Sequence, residues 1–123
     1  MTEHSIAPLL EIALAQTNAH GVYVYRFTRE RDGFELATSS GLPHNGQSVR
    51  LNGEALGWFR TSASLVILSE EAHADWRFRH FPEFQRHHFE ALVSVPLIEG
   101  GITVGVANIC RSHRAGYGGR EAQ

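Results

Sequence analysis

Asp75, Trp76, Arg77 and Phe78 stand side by side and could grip a planar or anionic molecule. An arginine fork between two aromatic faces can hold a carboxylate by paired hydrogen bonds, or stack on a flat ring. The same four residues serve a blander purpose equally well, Asp75 and Arg77 fixing their own loop while Trp76 and Phe78 plug a core. His73, His80, His87 and His88 surround this segment. Neutral imidazoles beside a carboxylate such as Asp75 suit zinc or iron, and one of them could ligate a haem. Their spacing opposes that use: His87 and His88 diverge on a helix, Pro82 separates His80 from them, and no HExxH pattern occurs. No metal or other cofactor is expected, and the default for these histidines is a pH-responsive surface.

Nucleophilic chemistry is poorly supplied. Cys110 follows Ile109 and shares a strand face with Val104, Val106 and Asn108, the setting of a buried, inert thiol. Ser94 has no histidine partner in the linear pattern, and acids such as Glu30, Asp32 and Glu99 fall in turns rather than pairing at a cleft. All 11 basic residues are arginine, which removes lysine Schiff bases and lysine-dependent phosphate loops. A non-catalytic protein is expected.

The chain of 123 residues has room for one domain, and with 42% hydrophobic and 20% charged residues its composition is that of an ordinary globular core. One cysteine excludes an intrachain disulfide and a cysteine-only metal site. A formal net charge of −2 with scattered arginines lacks the basic stripe of a nucleic-acid binder. Protonating all eight histidines would carry that charge to +6, so pH should matter. The start, MTEHSIAPLLEIALAQ, has neither the basic flank nor the apolar core of a signal peptide. No apolar run approaches the roughly 18 residues of a membrane span, and a soluble, cytoplasmic protein is expected.

The elements that would position these groups follow from periodicity. Ser5 can cap a helix over residues 5–19, whose apolar band Ile6, Leu9, Leu10, Ala13 and Leu14 could cover a sheet or meet a second subunit. GVYVYRFT (21–28) and GFELATSS (33–40) flank a turn ending in Asp32-Gly33 and read as a hairpin. Tyr23, Tyr25 and Phe27 share one face of its first strand, with Val22 and Val24 on the other. LNGEALGWFRTS (51–62) reads as a short helix and LVIL (65–68) as a buried strand. SEEAHADWRFRH becomes a long structured loop, followed by a helix over 82–90 with Pro82 in its first turn. ALVSVPLI (91–98) and ITVGVANICR (102–111) form a second hairpin, in which Pro96 demands a bulge or an unpaired donor position. Antiparallel hairpins separated by helices make an α+β layer structure.

This series resembles the GAF domain family. LVIL, Asp75-Trp76-Arg77-Phe78, ALVSVPLI, a Gly-Gly turn and ITVGVANI are similar to its second half. A helix entering GVYVYRF, and LNGEALGWF with its Gly57-Trp58 pair, are similar to the first. The resemblance covers residues 6–111 of a single domain spanning 1–123. It implies a GAF-like, PAS-related antiparallel sheet of five to six strands, with helices on one face. On the other face it implies a ligand pocket roofed by the 51–62 helix, the 69–81 loop and the 82–90 helix. Tyr25, Trp58, Phe59, Asp75, Trp76, Arg77, Phe78, His88 and Phe89 are then the candidate pocket residues. Trp58 and Phe59 point about 100° apart, so one could line the pocket while the other packs on the sheet.

Residues 112–123 fall where such domains begin a closing helix, and a truncated start of that helix or a loop is expected there. The resemblance also implies a sensory module, commonly dimeric, attached to a histidine kinase, a cyclic-nucleotide enzyme or a transcription regulator. Absent lysine disfavours cyclic-nucleotide binding, and a single cysteine fits neither the family's cysteine-dependent methionine sulfoxide reductases nor its bilin-binding members. Two functions follow from these residues: a sensor that takes an unidentified small molecule, or a dimerisation and interaction module whose pocket is filled by its own side chains.

Overall fold

Gly21–Phe27 forms β1 and Gly33–Gly41 forms β2, joined by the 28–32 turn. Thr28 closes that turn, its amide donating to the Gly33 carbonyl at 2.9 Å and its hydroxyl to Asp32 Oδ1 at 2.8 Å. After these come β3 (Ser48–Arg50), α1 (Gly53–Thr61), β4 (Val66–Leu68), a 3-10 turn (Ala72–Ala74), α2 (Pro82–His87), β5 (Ala91–Glu99) and β6 (Ile102–Arg111). The structure is a computed structural model, and it describes residues 19–43, 46–51 and 53–111. Residues 5–18 of the helix expected over 5–19, and the 112–123 segment, lie outside the described residues; Ala19 is not helical.

The strands make one six-stranded sheet in the order β3-β2-β1-β6-β5-β4, with every pair antiparallel. Gly100 and Gly101 both take positive φ, the geometry of the two-residue turn that suits the twist of a tight hairpin. The difficulty at Pro96 is met in two ways. β4 pairs with β5 only as far as Ser94, so beyond that point β5 is an edge that tolerates a missing donor. The β5–β6 register also slips just after it, between Leu97 and Ile98, leaving Val104 without a partner in the ladder. That bulge corrects one expectation: Val104 lines the face of Val24 and Ala37 rather than sharing the inward face of Cys110.

Alternation divides β1 as its sequence requires. Tyr23, Tyr25 and Phe27 face an aromatic core, while Val22 and Val24 join Ala37, Leu97, Ala107 and Ile109 on the other side. Three expectations differ. The strand expected as buried over 65–68 is the edge strand β4, Val66–Leu68, with only Val66 buried and Leu65 and Ile67 exposed. β3 was absent from the periodicity, because three residues hold too little alternation; it exists through pairing, Val49 lying opposite Phe34. α2 stops at His87 instead of running to residue 90, because His88 takes the left-handed conformation and turns Phe89 back into the core. Phe81, extended as a residue before proline must be, sets the entry to α2.

Candidate functional site

The roof over the inward face is built from α1, the 69–81 loop and α2. Within the loop, Arg77 closes on Asp75 with a two-pronged fork: Nε to Oδ1 at 3.0 Å and Nη2 to Oδ2 at 2.9 Å. The Arg77 amide adds a third bond to Oδ1 at 2.8 Å. Burial works against the Asp75 charge, but the Arg77 fork and the backbone amides outweigh it and hold the carboxyl below its usual range. The guanidinium also lies over aromatic rings, 5.0 Å from the centroid of Trp58, 5.5 Å from that of Phe78 and 5.9 Å from that of Trp76. Both donors that could have gripped a ligand carboxylate are thus engaged within the loop. Trp76 stays 45% exposed, and His88 is exposed with its ring stacked on His73 at 5.5 Å. His73 in turn meets Glu90 Oε2 at 3.1 Å.

Beneath the roof the space is occupied. Phe59, Phe78, Phe81 and Phe89 are buried against Tyr25 and Phe34 of the sheet. Phe81 is the central ring, with centroids 4.9 Å from Tyr25, 5.6 Å from Phe34, 5.7 Å from Phe59 and 6.1 Å from Phe78. Of the adjacent pair on α1, Phe59 enters this cluster, whereas Trp58 is half-buried and packs edge-on against Phe59 at 4.9 Å. The void left between α1 and the β5–β6 hairpin, beside Trp58 and Ser94, measures about 10 Å³. A small-molecule cleft begins at about 300 Å³. Of the candidate residues, the structure gathers Tyr25, Phe59, Phe78 and Phe89 in one packed core, clamps Asp75, Arg77 and Trp58 at its lid, and leaves Trp76 and His88 outside.

The sequence did not reveal the most unusual group in this core, Glu83. It lies in the first turn of α2 and is completely buried. Two donors converge on it: the Tyr25 hydroxyl bonds Oε1, and Asn108 Nδ2 bonds Oε2 at 2.9 Å. Asn108 is oriented by the Ser94 hydroxyl, which donates to its Oδ1 at 2.9 Å. One chain of bonds therefore ties α2 to β1, β6 and β5. Burial pushes the Glu83 carboxyl from 4.5 up to about 7, against the pull of the Tyr25 and Asn108 hydrogen bonds. Burial, together with nearby Glu83, keeps the Tyr25 hydroxyl protonated well above its usual range. The Cys110 thiol is raised for the same two reasons. The available signal was Asn108 on an inward strand face, because a buried carboxamide requires a buried partner.

A cavity of about 860 Å³ opens on the opposite face, over Val24, Ala37, Leu97 and Val104, with Arg29 and Arg31 among its lining. Arg31 is stacked 4.3 Å from the Phe27 ring and donates to the Thr103 carbonyl at 3.2 Å. Among the described residues no group of three or more histidine, cysteine or acidic side chains could hold a metal ion, and no helix is long and apolar enough to cross a membrane.

An antiparallel sheet roofed by two short helices and a clamped loop, over a packed aromatic floor, makes this an α+β layer protein. The GAF domain signature matches residues 2–122, and the chain belongs to this family of regulatory and sensory domains. No curated protein sequence matches it. Among solved structures, it is similar to the GAF domain of an Acinetobacter phosphoenolpyruvate-protein phosphotransferase, with a TM-score of 0.70 at 16% identity over 91% of this chain and 68% of that one. It is similar to Staphylococcus aureus NreA, mutated in its nitrate binding site, with a TM-score of 0.75 at 12% identity over 100% of this chain and 92% of that one. It is also similar to the free methionine-R-sulfoxide reductase of Neisseria meningitidis, solved with its substrate, with a TM-score of 0.67 at 17% identity over 90% of this chain and 63% of that one. At such identities the likeness is one of fold.

Proposed function

We propose that this GAF domain is a non-catalytic regulatory module with a self-filled interior, acting through its surfaces on a second copy of itself and on an attached effector. The observation that carries this is the roofed space, where Phe59, Phe78, Phe81 and Phe89 pack directly against Tyr25 and Phe34 of the sheet. Catalysis by a nucleophile finds no support in the described residues: Cys110 is buried with a raised thiol, and the Ser94 hydroxyl is spent on Asn108. Effectors of the kind implied by the family, a histidine kinase, a cyclic-dinucleotide enzyme or a transcription regulator, belong to the same proposal, as does a cytoplasmic location.

Light scattering on the purified chain, with a thermal-shift screen of small molecules, tests it. A dimer that no compound stabilises is the expected result; a strict monomer at high concentration would overturn the self-association. A second reading, a small-molecule sensor, is favoured by the convergence of Tyr25, Glu83, Asn108 and Ser94 on one point beneath the roof. A compound that raises the melting temperature and protects Trp58 from solvent would establish that alternative.

A further inference from the structure

A roofed interior filled by its own rings can still bind the smallest ligand. Glu83 has the geometry of a single proton site. Ser94 fixes the Asn108 amide, so Nδ2 must donate to Oε2, and that oxygen cannot also carry a proton pointing at Asn108. An added proton therefore goes to Oε1, where the Tyr25 hydroxyl can rotate from donor to acceptor and receive it. The balance is simple: one proton comes from solvent, one charge disappears from the core, and one hydrogen bond reverses direction.

We infer that the signal read by this interior is the proton: Glu83, tied to Tyr25 and Asn108 beneath the roof, holds one proton while α2 is docked and releases it when α2 lifts from the sheet. This rests on the self-filled interior described above and names its input. Burial of the Glu83 charge outweighs the hydrogen bonds it receives from Tyr25, Asn108 and its own backbone amide. Tyr23 and Tyr25 face it from β1, both held protonated. Asn108 and Cys110 face it from β6, and Ser94 stands behind Asn108 on β5. The roof brings the rings of Phe78, Phe81, Phe84 and Phe89. On α2 itself Arg86 is exposed and the His87 ring is held at the Pro43 carbonyl, 2.6 Å away. Arg111 follows Cys110 on β6 and so lies on the opposite strand face.

The direction of the response follows from burial. The docked state keeps its proton up to about pH 7, whereas a solvated glutamate gives it up near 4.5. Between those values docking binds the extra proton, so rising pH favours the lifted state. Between pH 5 and pH 8 the lifting equilibrium should change on the order of 70-fold.

Hydrogen exchange on the full chain, corrected for the intrinsic pH dependence of amide exchange, reads this directly. In the wild type, protection of residues 72–87 should fall as pH rises from 5 to 8. Glu83→Gln, which cannot ionise, should keep its protection across the range. Equal pH profiles in the two proteins would overturn the inference. If the variant does not fold, carbon NMR of the glutamate-labelled wild type decides: one carboxyl titrating near neutral pH sustains it, and all titrating near 4.5 defeat it. A dimeric, compound-insensitive protein with a flat profile refutes the proton alone, whereas pH-dependent lifting in a compound-stabilised protein refutes the self-filled interior alone.

Discussion

Phe81→Ala tests the filled interior at its centre. Phe81 is fully buried and packs against Tyr25, Phe34, Phe59 and Phe78. Losing the transfer free energy of a buried phenylalanine costs about 1.5–3 kcal/mol. The ring leaves a hole of roughly 100 Å³, which at about 24 cal/mol per Å³ adds about 2 kcal/mol if the walls hold still. The sum falls in the range of about 3–5 kcal/mol observed for Phe→Ala in cores. With an unfolding entropy of about 2.1 cal/mol/K per residue, the melting temperature of this domain should drop by roughly 12–20 °C. Calorimetry measures that drop, and a second scan with benzene or indole asks whether the hole is real. An apolar cavity lined by rigid rings stays dry and takes up such a molecule, recovering part of the loss. A drop of less than about 4 °C, or a full drop that no aromatic guest relieves, would refute the reasoning, because the rings would then be closing over the gap rather than packing around a fixed site.

Asp75→Ala should cost about 1–2 kcal/mol, reduced by solvent screening at the partly open lid, and should quench or shift Trp58 emission as Arg77 loses its anchor, which fluorescence-monitored denaturation measures. Since the Asp75 carboxyl is held below 3.8, its stabilisation is present above that pH and fades as the pH falls further; acid titration of the wild type should show this loss and Asp75→Ala should lack it. Cys110 should react with iodoacetamide at pH 8 at least on the order of a hundredfold more slowly in the native protein than in denaturant, as followed by mass spectrometry. Gly105→Ala would drive a methyl group into the Tyr25 carbonyl oxygen between β6 and β1, and should cost about 1–3 kcal/mol in a urea titration.

How far the sequence could be read depended on whether an element is specified locally. Gly100-Gly101 dictates its turn, and the alternation of Tyr23, Tyr25 and Phe27 with Val22 and Val24 assigns both faces of β1 without any tertiary information. Asp32-Gly33 marked the first hairpin but not its turn residue: Gly33 already belongs to β2, and the positive φ falls on Arg31. Pro96 even marked where the register slips. β3 escaped notice because its existence depends on Phe34 of a neighbouring strand. The Asp75-Arg77 pair was visible as chemistry but not as geometry: sequence shows a fork and an acid two residues apart, and only folding turns one onto the other. Glu83 was the hardest. A glutamate after a helix-starting proline looks like an exposed first-turn acid, and its burial arises from the aromatic rings of the roof and from two strands far away in the chain.

The two outer strands of the sheet, β3 and β4, have three residues each. An incoming chain that tried to extend the sheet at either margin would find only a few backbone groups to pair with before the template ended. That protects the domain from edge-to-edge polymerisation despite exposed Ile67 on β4. It also narrows how partners could be recruited: strand addition finds only a short template at β3 and β4, and a longer one only where β5 runs on past Ser94 as an edge interrupted by Pro96.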